Sequence, residues 1–283
     1  MRPRPHPKLS RRYRPAGEDA FRTRSIRGTR YFRSRQRHEE LTIIVERFPG
    51  SQVVPRDGGP PRSYVLVHGL GVSSRYFRPL AVELAKTGAV YLVDLPGYGA
   101  APNPRRDVTL ADHAAVIASF LRETNLVNPV IVGHSMGTQI VSLLAARHPD
   151  VTDRIVVLAP TMEPAARTTW RAIGRLLHDS TREPPIVFWI AVTDYLIRCG
   201  LPYLLRQMPH LLTDRIEERV GTNPAKVLVI GGDRDTIVPV PWARQLGEVD
   251  ANTTFREVHG PHVIMHTDPV MIARHITDFV TGQ

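Results

Sequence analysis

Cysteine is all but missing: Cys199 is the single one in 283 residues. No disulfide can close within the chain, nothing argues for an oxidising compartment, and a cytoplasmic protein is the expectation. Long apolar runs are missing too. The longest, residues 186 to 197, is interrupted by Thr193 and Asp194 and falls short of the roughly 20 residues that cross a bilayer, so no transmembrane segment is expected. The first forty residues hold no apolar stretch of the length a secretory signal needs. Ser10-Arg-Arg-Tyr13 is followed by Pro15-Ala-Gly-Glu-Asp19 where a twin-arginine signal would place its apolar segment, and export is not expected. With one cysteine and no His-Glu-x-x-His helix, a zinc site is not expected either, although His259, His262 and His266 lie close in sequence.

Charge is abundant but confined. The net charge is +10, and residues 1–40 alone carry thirteen Lys or Arg against four Asp or Glu, which leaves the remainder near neutral. The basicity therefore describes an arm and not a nucleic-acid-binding body. Residues 1–40 are rich in Arg, Pro, Ser and Gly and are expected to be a disordered arm, in at most weak contact with an acidic surface.

From residue 64 onward, β-branched runs alternate with amphipathic segments, the pattern of βαβ units around a buried parallel sheet. Strands are expected at 64–67, 89–93, 129–132, 154–158, 226–230 and 254–258. Helices are expected at about 77–87, 109–122, 136–147, 239–247 and 269–280, the second opened by a Thr109/Asp112 capping box. Leu41–Val45 and Gln52–Val54 read as a leading hairpin. Residues 160–224 break the rhythm with Trp170, Phe188, Trp189, Tyr195 and Tyr203. So long a connection needs structure of its own, and a helical lid is expected there, inserted into a catalytic core of residues 41–159 and 225–283.

Gly133-His-Ser-Met-Gly137 fits G-x-S-x-G between an apolar run and a helical segment, where two glycines permit the strained turn that exposes a serine hydroxyl. A serine needs a base to take its proton and a carboxylate to orient that base. Asp235, in Asp235-Thr-Ile-Val-Pro239, and His262, in His259-Gly-Pro-His262, each follow a strand, where an open α/β sheet places its ligands. The nearby alternatives are Asp233 for the acid, and His259 and His266 for the base. Asp235 is preferred by the Asp-x-x-Val-Pro spacing. His68 and His134 read as loop hydrogen-bonding residues.

His68-Gly-Leu-Gly71, Asp94-Leu-Pro-Gly-Tyr-Gly99, the elbow at Ser135, Asp235-Thr-Ile-Val-Pro239 and Gly260-Pro-His262 together resemble, in order, the motifs of the α/β-hydrolase fold family. The resemblance covers about residues 60–283 and departs from the usual pattern at Ala100 and Thr138. It implies an α/β fold with a mostly parallel central sheet flanked by helices and a helical lid. It also implies an oxyanion hole formed by the backbone N–H groups of Leu70 and Met136, and no cofactor. The expected activity is that of a serine hydrolase with a Ser135-His262-Asp235 triad, cleaving an ester, lactone or lipid-like small molecule with a hydrophobic acyl group. Relatives acting on amide, thioester or carbon–carbon bonds, cofactor-free haloperoxidases, and a non-catalytic ligand-binding protein are the alternatives.

Overall fold

The computed structural model describes residues 22–26, 28–50, 62–126, 128–168, 193–194 and 199–282. Among the described residues nine strands form one sheet: β1 (Arg22–Ile26), β2 (Thr29–His38), β3 (Leu41–Phe48), β4 (Arg62–Val67), β5 (Gly88–Asp94), β6 (Val130–His134), β7 (Arg154–Leu158), β8 (Lys226–Gly232) and β9 (Thr253–Val258). Their spatial order is β1-β2-β3-β5-β4-β6-β7-β8-β9. β1, β2 and β3 pair antiparallel, β3 pairs antiparallel with β5, and every pair from β5 to β9 is parallel. The described helices are α1 (Arg78–Leu84), α2 (Leu110–Glu123), α3 (Met136–Arg147), α4 (Leu201–Thr213), α5 (Glu217–Val220), α6 (Val240–Gly247), α7 (Ile264–Thr267) and α8 (Pro269–Thr281).

Period-2 alternation assigns each strand residue to one of two cores. Val65, Val67, Ile131, Ile155, Val157, Val227 and Val229 face one layer, with α2, α3 and α6. Tyr64, Leu66, Val132, Val156, Leu158, Leu228 and Ile230 face the other, with α1, α7 and α8. Both faces of the parallel part are thus covered, which explains why its strands read as continuous apolar runs. α2 starts as expected: Thr109 Oγ1 accepts from Asp112 N–H at 3.2 Å, and Asp112 Oδ2 accepts from Thr109 N–H at 2.8 Å.

The order of the strands sets the position of the site. β4 leads to β5 on one side, the chain then crosses back to β6 on the other side of β4, and β7 to β9 continue outward. The reversal between β4 and β6 is a topological switch point, where such sheets open a crevice at their carboxyl ends. The two strands end level, with Val67 opposite Gly133.

One expectation is corrected at the amino end. Residues 22–26 and 28–38 are not a loose arm but supply β1 and the whole of β2, and Leu41–Phe48 pairs antiparallel with β2. The expected hairpin partner Gln52–Val54 and residues 1–21 lie outside the described residues. Apolar burial did not announce these strands, because their side chains pack by other means. Tyr31 stacks on Phe48 with ring centroids 5.0 Å apart, and the Arg78 guanidinium covers the Tyr31 ring at 5.2 Å. Buried Glu46 accepts from Arg78 at 2.8 and 2.9 Å and pairs with Arg33 at 3.1 Å.

Of the segment expected to form the lid, residues 169–192 and 195–198 lie outside the described residues. α4 packs onto the core through Tyr203, whose hydroxyl donates to Pro96 O at 2.9 Å, and through Gln207, whose amide donates to Val108 O at 2.9 Å. No helix among the described residues is long and apolar enough to cross a membrane.

Candidate active site

Ser135 joins the end of β6 to the start of α3 with φ 52° and ψ −121°. A non-glycine residue held at positive φ is strained, and here the surroundings leave it no alternative. A Cβ on Gly133 would lie 2.4 Å from Gly137 O, and one on Gly137 would lie 2.2 Å from Val67 O. The turn can therefore be this tight only with glycine on both sides. Ser135 N–H donates to Ala159 O at 3.1 Å, while Ser135 O accepts from Thr138 N–H at 2.9 Å and from the Thr138 hydroxyl at 2.6 Å. Thr138, a departure from the family pattern, thus braces the elbow. The other departure, Ala100, donates its N–H to Asp94 Oδ2 at 2.9 Å.

The loop after β4 packs directly against the elbow, since a Cβ on Gly69 would lie 3.1 Å from Ser135 Cβ. Leu70 is the next residue along and is buried. Met136 is the first residue of α3, a position whose N–H has no acceptor in the helix's own ladder and lies at the positive end of its dipole. Leu70 and Met136, the two expected amide donors, thus follow the ends of the adjoining strands β4 and β6.

The loops after β8 and β9 bring Asp235 and His262 together. Asp235 Oδ2 accepts from His262 Nδ1–H at 2.7 Å, and Asp235 Oδ1 accepts from the N–H groups of Ile237 and Val238 at 2.8 and 2.9 Å. Three donors hold the buried carboxylate in one orientation, and the bond to Nδ1 fixes the tautomer that keeps Nε2 as the basic nitrogen. The alternatives pair separately: His259 Nδ1–H donates to Asp233 Oδ2 at 2.8 Å on the exposed rim, and Gly260 N–H donates to Asp233 Oδ1 at 3.0 Å. His259 first, then the Gly260 amide, hold the Asp233 carboxyl below its usual range. His266 Nδ1–H donates to Tyr76 O at 3.1 Å.

His68 and His134 are loop-bonding residues. His68 Nδ1–H donates to Gly69 O at 2.8 Å and Nε2 accepts from Leu95 N–H at 3.1 Å. Burial pushes its pKa down, consistent with the neutral ring these bonds require.

Tyr76 and Asp194, which no short motif signals, support the same loops, together with Asp94 from the Asp94–Gly99 motif. Tyr76 bonds to Gly69 and His134. Asp94 Oδ1 accepts from Ser74 N–H and its hydroxyl at 2.8 and 2.7 Å. Buried Asp194 accepts from Ser73 N–H and its hydroxyl at 2.9 and 2.6 Å, and from Arg75 at 2.5 Å. Among the described residues, no three His, Cys, Asp or Glu side chains gather so as to hold a metal ion.

Comparison with known proteins agrees with this fold. A family described as "alpha/beta hydrolase fold" matches residues 65–188. The chain is 29% identical over 204 residues to the pimeloyl-[acyl-carrier protein] methyl ester esterase of Photobacterium profundum, covering 68% of this chain and 78% of that protein. It is 26% identical over 208 residues to the dihydrolipoyllysine-residue acetyltransferase component of the acetoin cleaving system of Cupriavidus necator. That match takes in 66% of this chain but only 56% of that protein's length. Among solved structures, the enol-lactonase from Burkholderia xenovorans LB400 superposes with a TM-score of 0.72 at 17% identity, covering 87% of this chain and 99% of that one.

Proposed function

The chain belongs to the α/β-hydrolase fold family, and from that premise we propose that it is a serine hydrolase acting on carboxylic ester-type bonds. The observation that carries the proposal is the buried 2.7 Å bond between Asp235 and His262 Nδ1, with the His262 ring 4.6 Å from that of His134, the residue before a serine held at positive φ on a strand-to-helix turn. A carboxylate-oriented imidazole next to a strained, accessible hydroxyl is the arrangement that acyl transfer uses.

Ser135 Oγ attacks the acyl carbonyl while its proton passes to His262 Nε2. Asp235 stabilises the imidazolium that results. The tetrahedral oxyanion is met by the N–H groups of Leu70 and Met136, each such donor contributing roughly a hundredfold or more in rate. Collapse expels the alcohol, which takes the proton from His262. Water, deprotonated by the same nitrogen, then attacks the acyl-enzyme, the acid leaves, and the proton returns to Ser135. No step calls for a cofactor.

The substrate class is read from two sides. The segment between β7 and β8 is rich in aromatic and aliphatic residues, which suits a hydrophobic acyl group under a lid. The named similar proteins include a methyl ester esterase and a lactonase. An ester, lactone or lipid-like small molecule follows.

A fluorophosphonate probe, which reacts only with an activated serine, tests the proposal. Wild type is expected to label and Ser135→Ala to remain unlabelled. A panel of esters of increasing acyl length then defines the preference. Failure of wild type to label, or equal labelling of Ser135→Ala, rejects the reading.

A further inference from the structure

The buried polar groups nearest Ser135 form a chain that the acyl-transfer steps do not use. Gly69 N–H donates to the Tyr76 phenol oxygen at 2.9 Å. The Tyr76 hydroxyl meets His134 Nδ1 at 2.9 Å, and His134 Nε2 meets the His262 carbonyl oxygen at 3.1 Å. The direction of every bond follows from its ends. An amide N–H can only donate and a carbonyl oxygen can only accept, so the phenol gives its proton to Nδ1 and the imidazole carries its own on Nε2. Burial keeps His134 neutral, driving its pKa well below the usual value, as a ring that accepts at one nitrogen and donates at the other requires.

The chain joins the two halves of the site. At one end lies Gly69, packed on Ser135 and preceding Leu70; at the other lies the backbone of His262. Tyr76 and His134 are only 2% and 4% exposed, so water does not stand in readily for either partner. A second tie runs parallel: the Tyr76 carbonyl oxygen accepts from His266, on the turn that follows His262. Within hydrogen bonds alone, the loop after β4 and the loop after β9 are thereby connected across the end of β6. The His134 and His262 rings lie 4.6 Å apart.

We propose that Tyr76 and His134 are positioning residues, forming a buried strut that sets the oxyanion loop at Gly69-Leu70 and the base His262 at a fixed separation about Ser135. The proposal rests on the serine-hydrolase reading and adds to it the parts that hold its reacting groups in register. Small displacements of such groups lower the rate while leaving substrate binding largely intact.

The test uses the purified full chain, with fluorophosphonate labelling rate and ester kcat and KM as readouts. Tyr76→Phe keeps the ring and removes both bonds, and is expected to lower kcat and labelling about ten- to hundredfold with KM changed less than about threefold. His134→Leu should do the same, and the double variant should be no slower than the slower single, because one strut is cut in either place. His134→Gln can accept from Tyr76 through its carbonyl and donate to His262 through its amide, and is expected to stay within about threefold of wild type. A purely space-filling role would not separate Gln from Leu in this way. Tyr76→Phe acting at the wild-type rate, or His134→Gln as slow as His134→Leu, overturns the strut. Should His134→Leu fail to fold, Tyr76→Phe and His134→Gln decide the matter. Absence of labelling in wild type rejects the hydrolase reading and the strut together, whereas normal labelling of wild type and Tyr76→Phe alike rejects the strut alone.

Discussion

Asp233 and Asp235 stand two residues apart in opposite surroundings. One shares an exposed rim with His259; the other is sealed beneath His262 and gripped by two backbone amides. Asp235→Asn is therefore expected to lower kcat by about a thousandfold or more, since the amide cannot hold the same imidazole tautomer. Asp233→Asn is expected to stay within about tenfold, and steady-state kinetics on one ester distinguish them. Ser135, Asp235 and His262 were legible because each sits in a short motif just past a strand. Tyr76 and Asp194 were not, because their partners His134 and Ser73 lie 58 and 121 positions away. Nothing local in Ser-Arg-Tyr-Phe or Thr-Asp announces such a contact. Polar support of this kind is written in the folded chain alone.

At the scale of elements, aliphatic strands were legible and arginine-rich ones were not. β4 to β9 fall within one or two residues of their expected limits because burial on both faces demands β-branched runs. In β2, only Tyr31, Ser34 and His38 are buried, and arginines occupy the rest of one face, so its composition resembles that of a solvated tail. Its order depends on ladder bonds to β3, on the Tyr31–Phe48 stack and on Glu46 shared by Arg33 and Arg78. Tyr31→Ala should accordingly cost about 3 kcal/mol in urea denaturation, the lower end of the range for deleting a buried aromatic ring. A loose arm would show no change. The segment expected to form a lid falls outside this comparison, apart from α4 and α5.

For the molecule as a whole, buried imidazoles link stability to pH. Burial pushes His113 down to about 3, against an opposing contribution from Gln207, and lowers His68 and His134 as well. Each ring binds its proton more readily unfolded than folded, so stability is lost as pH falls through the unfolded value near 6.5, a loss that for His113 continues to about 3. Between pH 7 and 5 this one ring should account for about 2 kcal/mol. Denaturation of His113→Leu at both pH values should show a drop smaller by that amount; an equal drop in the two proteins would contradict it. The level ends of β4 and β6 carry a different consequence, for changes of chain length. Gly69 and Ser135 meet because ladder bonds between neighbouring strands hold them at one height, with Tyr76 and Leu95 bracing the glycine loop, and the surface stretches of the chain between residues 71 and 129 have no part in setting it. That crossover can gain or lose surface residues while the two loops stay in contact. Deleting one residue inside β4 would turn its side chains to the opposite face and draw the glycine loop back by about 3.3 Å from the serine it touches.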